Sequence, residues 1–210
     1  MLNYNSFKEV TLEGRYVKNS HIIPLEKKHN NIAEITKIGS SVEKKPIYSY
    51  KFGTGEKKIL VWSQMHGNES TTTKALFDFF NRLHCVDEVV SLLLSQCTFC
   101  VIPILNPDGA EKYTRVNANK VDLNRDAQQL TQPESKVLLS IYNSFKPDYC
   151  FNLHGQRTIF SAGFSANSSV LSFLSPAQDK QRSVTKTRKI AMEVVVAINN
   201  ALKDALPAQI

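Results

Sequence analysis

The residues with the clearest chemical potential are His66 and Glu69, three positions apart in the segment His66-Gly67-Asn68-Glu69. An imidazole and a carboxylate at this spacing can turn toward one point where a strand passes into the first turn of a helix. Zinc accepts this donor pair, and a catalytic zinc site commonly has three protein ligands and keeps a fourth position for water. The pair alone occurs by chance on helix surfaces, so a metal site needs a further ligand and a matching context.

Two further polar clusters follow apolar runs, as the first one does. Residues 106–109 (NPDG) follow the run CTFCVIPIL, and residues 153–155 (LHG) follow the run DYCFN. In open α/β sheets, ligands bind beyond the carboxyl ends of the strands. We therefore predict that the three clusters share one rim of a sheet, and that His154 is the third zinc ligand.

The elements that must position these clusters follow from hydrophobic periodicity and turn residues. A helix over residues 70–83 has Ser70 and the following threonines as cap candidates, Pro133 opens another, and residues 106–109 are predicted as a turn. The alternation predicts an α/β fold, a mixed, largely parallel sheet covered by helices on both faces. The predicted strands span residues 32–39, 46–53, 57–65, 97–105 and 148–155, and the helices span 70–83, 133–145 and 181–206.

Size and composition indicate one ordinary globular domain. The chain has 210 residues and a mass of 23.7 kDa, and 42% of its residues are hydrophobic and 21% charged. We predict a single domain over residues 1–210, with an antiparallel lead-in over 1–54, the zinc and carboxylate site over 55–165, and a loop and terminal helix over 166–210. No apolar run approaches the ~20 residues that span a bilayer, so no membrane association is expected.

The beginning of the chain lacks the pattern of a secretory signal, so a cytoplasmic location is expected. The cysteine spacing is not that of a disulfide scaffold, and the CxxC at Cys97 and Cys100 lies inside an apolar run, so we predict reduced, buried thiols. The net charge of +7 includes a basic cluster near the carboxyl end. Without aromatic interleaving or a nucleic-acid motif, this cluster predicts a solvated face and no nucleic-acid partner. The four cysteines are Cys85, Cys97, Cys100 and Cys150.

The motifs in this order resemble the zinc carboxypeptidase family, of which carboxypeptidase A is the familiar member. The resemblance rests on the pair His66/Glu69, the NPDG segment, the stretch RVNANKVDLNRD over residues 115–126, and LHGQ over 153–156. It covers roughly residues 55–165. The fold it implies is that of the family, incomplete at the carboxyl end.

The resemblance implies one Zn²⁺ per chain, held by His66, Glu69 and His154. Asp122 would orient His66 by accepting its second ring proton. Taken singly, these residues have duller roles open to them: Asp122 could be only a helix cap, and His154 a satisfied core histidine.

The resemblance also implies the substrate contacts. Arg115 would stabilise the oxyanion that forms when zinc-bound water attacks the scissile carbonyl, a contribution of about 3 kcal/mol. Asn124 and Arg125 would bind the terminal carboxylate of the substrate, because a guanidinium matches a carboxylate in a bidentate way. A free carboxylate is then required, which makes the expected enzyme an exopeptidase. Either arginine could instead form only surface ion pairs.

The departure from the family lies after His154. Family members continue to a late strand that supplies the glutamate acting as general base. Here residues 158–178 are predicted as strand or loop and 181–206 as an amphipathic helix, where Glu193 is a helix-flank residue and not a base candidate. We therefore expect a chain that stops short of the base segment, with weak or absent activity.

Three functions remain open from the sequence. The first is a zinc metallocarboxypeptidase that removes carboxyl-terminal residues from peptides. The second is a zinc-dependent deacylase of N-acyl amino acids, which would use the same carboxylate site. The third is a non-catalytic remnant that binds zinc and peptide carboxylates. The expected partner is thus a peptide or N-acyl amino acid with a free carboxylate; side-chain preference and oligomeric state do not follow from the sequence.

Overall fold

The computed structural model describes residues 3–155 and 171–202. It divides into two compact units, Met1–Gly155 and Gln156–Ile210. Of the predicted strand or loop over 158–178, residues 158–170 lie outside the described residues, as do Gln156 and the last four residues of the predicted terminal helix, and residues 171–178 form neither strand nor helix. The single domain over residues 1–210 and its three segments stay a prediction.

The first unit contains a five-stranded sheet in the order β1-β2-β4-β3-β5. β1 pairs with β2 and β2 with β4 in antiparallel fashion, whereas β3 runs parallel to both β4 and β5. The predicted mixed sheet is therefore confirmed, with its parallel pairings confined to β4, β3 and β5. The strands are β1 (Glu34–Ser40), β2 (Pro46–Phe52), β3 (Lys57–Trp62), β4 (Cys97–Ile102) and β5 (Tyr149–Asn152).

The register of the parallel strands places their carboxyl ends side by side. Trp62, the last residue of β3, pairs with Ile102 at the end of β4 and with Asn152 at the end of β5. The chain that leaves each strand therefore starts from the same edge of the sheet. All three polar clusters predicted from the sequence begin at this edge, which we call the rim.

Helices precede β1 and follow β3 and β4 in the first unit. The two long helices match the predicted ones closely: α3 begins one residue later than predicted, and α7 has the predicted bounds. The helices are α1 (Asn19–Ile22), α2 (Glu26–His29), α3 (Thr71–Leu83), α4 (Glu88–Gln96), α5 (Pro107–Lys112), α6 (Leu123–Asp126) and α7 (Pro133–Phe145), with short 3₁₀ turns at Tyr4–Ser6 and Ile23–Leu25.

Apolar side chains cover both faces of the sheet, as predicted. On one face Phe77 and Phe80 of α3 pack in a cluster with Tyr50 of β2. On the other face Ile47 of β2 joins a second cluster, against which Val137 of α7 packs. Successive residues of a strand point to opposite faces, which explains why β2 contributes to both clusters.

Two local predictions differ from the structure, one in whole and one in part. The NPDG segment is not a turn but the start of α5, since the Asn106 carboxamide oxygen accepts the Gly109 N–H at 2.9 Å and Pro107 occupies the first turn. Ser70 is the N-cap residue of α3 but makes no side-chain cap hydrogen bond, and its hydroxyl donates to the Arg15 carbonyl oxygen at 2.8 Å.

α4 was not predicted at all. It begins after Asp87, whose carboxylate accepts the Val90 N–H at 3.0 Å. This is an ordinary N-cap contact. The following run of valines and leucines was too evenly apolar to reveal a helical period.

The cysteines are all free, and their burial differs from the prediction in part. Cys100 is buried, Cys85 and Cys97 are half-buried, and Cys150 is exposed. Cys150 is exposed because it lies on β5, the last strand in the sheet order. Burial raises the pKa of the Cys100 thiol to about 11, which keeps it protonated at neutral pH.

The second unit contains α8 (Lys186–Leu202). The Thr185 hydroxyl accepts the Arg188 N–H at 3.2 Å, which places the start of the helix later than the predicted residue 181. In the described ranges, no helix combines the length and the apolar character that a bilayer crossing requires.

The packing of α3 gives a direct test of the fold. Phe80 has no exposed surface, so Phe80→Ala is expected to lower the free energy of unfolding by about 3–5 kcal/mol. Val89→Ala on α4, where the side chain is 69% exposed, is expected to change it by less than about 0.5 kcal/mol. Urea titration followed by circular dichroism measures both. Equal effects of the two substitutions would contradict the described core.

Candidate metal and carboxylate site

The turn from β3 into α3 places His66 and Glu69 on the same side. The Glu69 N–H donates to the His66 carbonyl oxygen at 3.1 Å, which closes a four-residue turn. Gly67 in this turn lies against α5, where a Cβ would come within 2.0 Å of the Gly109 carbonyl carbon. Only glycine permits this approach, so the turn and the start of α5 are locked together.

A buried amide that the sequence analysis did not single out fixes the entry to this turn. Gln64 has a positive φ of 43°, and its Nε2 donates to the carbonyl oxygens of Val17 at 3.0 Å and Gly67 at 2.8 Å. Its Oε1 accepts the Thr73 hydroxyl at 2.7 Å. A glutamine at the end of an apolar strand was the available signal, since a buried amide must find partners.

Glu69 stands between the two histidines. One carboxylate oxygen lies 2.9 Å from His66 Nδ1, and the other lies 2.8 Å from His154 Nδ1. The Gly155 N–H also donates to the second oxygen, at 3.1 Å. One candidate ligand atom from each of the three side chains lies within 4.8 Å of the others. The structure thus brings the three predicted ligands together.

Asp122 fixes the other nitrogen of His66. Its Oδ1 lies 3.1 Å from His66 Nε2 and accepts the Asn124 N–H at 2.9 Å. Its Oδ2 accepts the Arg115 Nε–H at 3.0 Å. An ionised carboxylate can only accept, so the Asp122 contact requires a proton on Nε2. A metal ion that took the place of a proton on Nδ1 would leave Nε2 as the donor to Asp122. Asp122 also caps α6, so the predicted orienting contact and the duller cap role are both present.

The electrostatics of the site keep its carboxylates ionised. Burial raises the pKa of Glu69, but the hydrogen bonds from His154 and His66 outweigh it and hold the pKa at about 2. Burial likewise opposes a low pKa for Asp122, and the bonds from Arg115 and His66 again prevail, so its pKa is lowered. Metal ligation requires deprotonated ligands, and the Glu69 carboxylate is already deprotonated at neutral pH.

The donor set fits a zinc ion. Two imidazole nitrogens and one carboxylate converge, with His66 2% exposed on the inner side and His154 33% exposed on the outer side. Three protein ligands of this type with one side open to solvent are the usual arrangement of a catalytic zinc site.

Arg115 lies beside these ligands. Besides its bond to Asp122, its Nη1 lies 3.5 Å from a Glu69 oxygen, and 43% of its side chain is exposed. Arg115 therefore has surface ion pairs and also a position next to the metal ligands. Its role in stabilising an oxyanion stays a prediction.

Asn124 and Arg125 lie on α6, directly after Asp122. Asn124 Oδ1 lies 3.5 Å from Asn152 Nδ2, which connects α6 to the end of β5. Arg125 is exposed, and among the described residues its side chain has no hydrogen-bond or ion-pair partner. We call residues 115–125, which carry Arg115 and the whole predicted carboxylate contact, the grip segment.

Two contributors at the rim were missed in the sequence. The Gly155 N–H bonds Glu69, and a Cβ at Gly155 would lie 3.2 Å from that of Glu69. Asn152 is the last residue of β5 and precedes His154 by two positions. A polar residue in an apolar strand, two before a ligand, was the signal for Asn152.

Comparison with known proteins places these motifs in a family. The family model described as zinc carboxypeptidase matches residues 19–207, a longer match than the predicted 55–165. Human carboxypeptidase D is 27% identical over 176 residues, which are 71% of this chain and 13% of that protein.

Two solved structures share the fold. A metallo-carboxypeptidase from Burkholderia cenocepacia superimposes with a TM-score of 0.62 at 24% identity, over 67% of this chain and 41% of the other. A metallo-carboxypeptidase from Pseudomonas aeruginosa, solved in complex with (2-guanidinoethylmercapto)succinic acid, gives 0.58 at 22% identity, over 67% and 40%. The chain thus spans less than half the length of each relative named here.

The family model covers most of the chain, and both the fold and the order of the motifs agree with it. The chain therefore belongs to the zinc carboxypeptidase family.

Proposed function

We propose that this chain forms the zinc and carboxylate-binding part of a carboxypeptidase that removes carboxyl-terminal residues from peptides. The observation that carries the proposal is the double role of Asp122. One carboxylate oxygen contacts Nε2 of His66, a candidate zinc ligand. The other accepts the Nε–H of Arg115, the first residue of the grip segment. The metal ligands and the cationic segment are thereby joined through a single carboxylate.

His66, Glu69 and His154 would hold one zinc ion. Zinc supplies a Lewis acid that polarises a carbonyl and makes water a better nucleophile at neutral pH. Asp122 keeps the proton on His66 Nε2 and so holds the ring in its ligating orientation. Arg115 Nη1 lies 3.5 Å from a Glu69 oxygen and would donate to the oxygen on which negative charge develops.

The substrate's terminal carboxylate would bind Asn124 and Arg125. Asn152 Nδ2 donates to Oδ1 of the Asn124 side chain. Within residues 3–155, the side-chain nitrogen Nδ2 of Asn124 has no partner, so it is available as a donor. The exposed Arg125 guanidinium offers a bidentate match to a carboxylate. The succinic acid derivative bound to the Pseudomonas relative carries carboxylates, which supports this class of ligand.

We expect slow turnover by this chain on its own. Among residues 3–155, the carboxylates in the site's hydrogen bonds and ion pairs are Glu69 and Asp122, and both are engaged by histidines. Proton transfer by a positioned general base contributes about 10²- to 10⁴-fold. Glu193 is exposed on α8 in the second unit and is not proposed as the base. Cytoplasmic location stays a prediction, and no observation favours the deacylase.

The ligand assignment predicts the zinc content of variants. His66→Ala and His154→Ala are each expected to lose the zinc that the unsubstituted protein retains after dialysis, because two ligands do not complete a site. His21→Ala, which removes an exposed histidine, should retain it. Inductively coupled plasma mass spectrometry gives the metal content, and circular dichroism verifies folding. Full zinc retention by a folded His66→Ala protein would contradict the assignment.

The carboxylate contact predicts which peptides react. A pool in which every peptide occurs as free acid and as amide, incubated at length with the zinc-loaded protein, should lose single residues from the free acids only. Arg125→Ala should keep its zinc and lower this cleavage by about 10-fold or more, because a charge-assisted bidentate contact is lost. Mass spectrometry reads every product.

The matched control is Lys37→Ala, which removes one positive charge from an exposed position on β1 and should cleave like the unsubstituted protein. Cleavage of amidated peptides or of internal bonds would contradict the proposed exopeptidase. Zinc-loaded protein that binds free acids and leaves them intact would point to the binding remnant instead.

A further inference from the structure

A buried amide lies inside the grip segment and satisfies all of its hydrogen bonds. Asn117 is 3% exposed. Its Oδ1 accepts the N–H groups of Asn119 and Val121, each at 3.1 Å. Since both of these donors are backbone groups, the carbonyl end of the amide must face them, and the orientation of the side chain is fixed.

The amide nitrogen of Asn117 therefore points out of the segment, toward the start of α7. Nδ2 donates to Gln132 Oε1 at 2.9 Å and to Glu134 Oε2 at 3.2 Å. Glu134 has no exposed surface, and its other oxygen accepts the Val42 N–H from the β1–β2 connection at 3.2 Å. One buried carboxylate thus connects the grip segment to both α7 and the sheet.

The backbone of the grip segment needs such support. Asn117 and Val121 are joined by a hydrogen bond of 3.0 Å, and the Lys120 N–H donates to the Asn117 carbonyl oxygen at 2.9 Å. Lys120 in this tight loop has a positive φ of 61°, which is unfavourable for a residue with a Cβ. Asp122 follows the loop at once, so a shift of the loop moves the group that orients His66.

We propose that Asn117 and Glu134 form a buried donor–acceptor pair that positions the grip segment against α7 and so sets the place of Asp122 and Arg115. Neither residue contacts the metal ligands, and both act through the segment. This inference rests on the proposed function, because the pair would position the residues of the proposed zinc and carboxylate site. Burial raises the pKa of Glu134, in keeping with a carboxyl group whose hydrogen bonds are internal.

The test is an exchange of donor and acceptor between the two positions. Asn117→Asp places two carboxyl groups next to each other, so the donor at position 117 is lost. Glu134→Gln replaces one acceptor oxygen by an NH₂ group, which then faces another donor, either the Asn117 amide nitrogen or the Val42 N–H. The double variant restores a donor at 134 facing an acceptor at 117, with the Val42 contact kept. Gln132 loses one donor, so we expect recovery to be partial.

Two readouts separate positioning from folding. The first is amide hydrogen exchange over residues 115–126 in metal-free protein, and the second is zinc affinity by competition with a chelator. Each single variant should exchange faster in this segment and bind zinc about 10- to 100-fold more weakly, as expected when a partner of a ligating histidine is displaced. The double variant should outperform both singles, a non-additive result.

Two controls bracket the effect. Asn143→Ala removes an exposed amide on α7 outside the grip segment and should change zinc affinity by less than about twofold. Val90→Ala on α4, the helix that precedes β4, removes a buried core side chain. It should lower the melting temperature without changing zinc affinity. If general destabilisation alone weakened zinc binding, this variant would bind zinc more weakly as well.

The outcomes are distinct. Effects of the two single variants that simply add in the double variant would overturn the pairing. If Asn117→Asp fails to fold, Glu134→Gln decides alone, and unchanged exchange and zinc affinity in it would overturn the proposal. If the unsubstituted protein neither binds nor cleaves free-acid peptides, the proposed function fails, while hydrogen exchange still decides whether the pair holds the segment.

Discussion

The contact between His66 Nε2 and Asp122 is the constraint on which the rest of the site depends. A histidine that donates from Nε2 has only Nδ1 left to offer as a ligand atom, and here Nδ1 faces Glu69 at 2.9 Å. Without that contact the imidazole could rotate or change tautomer, and the three donor atoms would no longer converge. The ring is 2% exposed, so water cannot replace the carboxylate as its partner.

The fold serves this contact by bringing together segments that are far apart in the chain. Parallel β3, β4 and β5 end in register, so His66, the start of α5 and His154 all leave the sheet at the rim. Asp122 arrives from none of these strand ends. It is carried by the grip segment, which returns to the rim after α5 and is tied down by buried amides and carboxylates. The proposed zinc and carboxylate sites are therefore linked mainly through this loop.

The sequence was informative where the signal was local. The HxxE spacing and the histidine at the end of an apolar strand predicted residues that lie together, the family resemblance added Asp122, and periodicity predicted both long helices of the first unit. The sequence was uninformative where a side chain has a distant partner. Gln64 bonds the Val17 carbonyl oxygen, Ser70 bonds Arg15 instead of making a side-chain cap hydrogen bond, and Asn117 bonds residues that follow it by 15 and 17 positions. The exposure of Cys150 likewise depends on strand order, which no local pattern contains.

The most direct measurement is a crystal structure of the zinc-soaked protein with anomalous data collected above and below the zinc absorption edge. We predict one strong anomalous peak bound by Nδ1 of His66, Nδ1 of His154 and the carboxylate of Glu69, at about 2.0–2.2 Å, with Asp122 on the opposite nitrogen of His66. A peak at other residues, or zinc bound through His66 Nε2 with Asp122 displaced, would contradict the central claim.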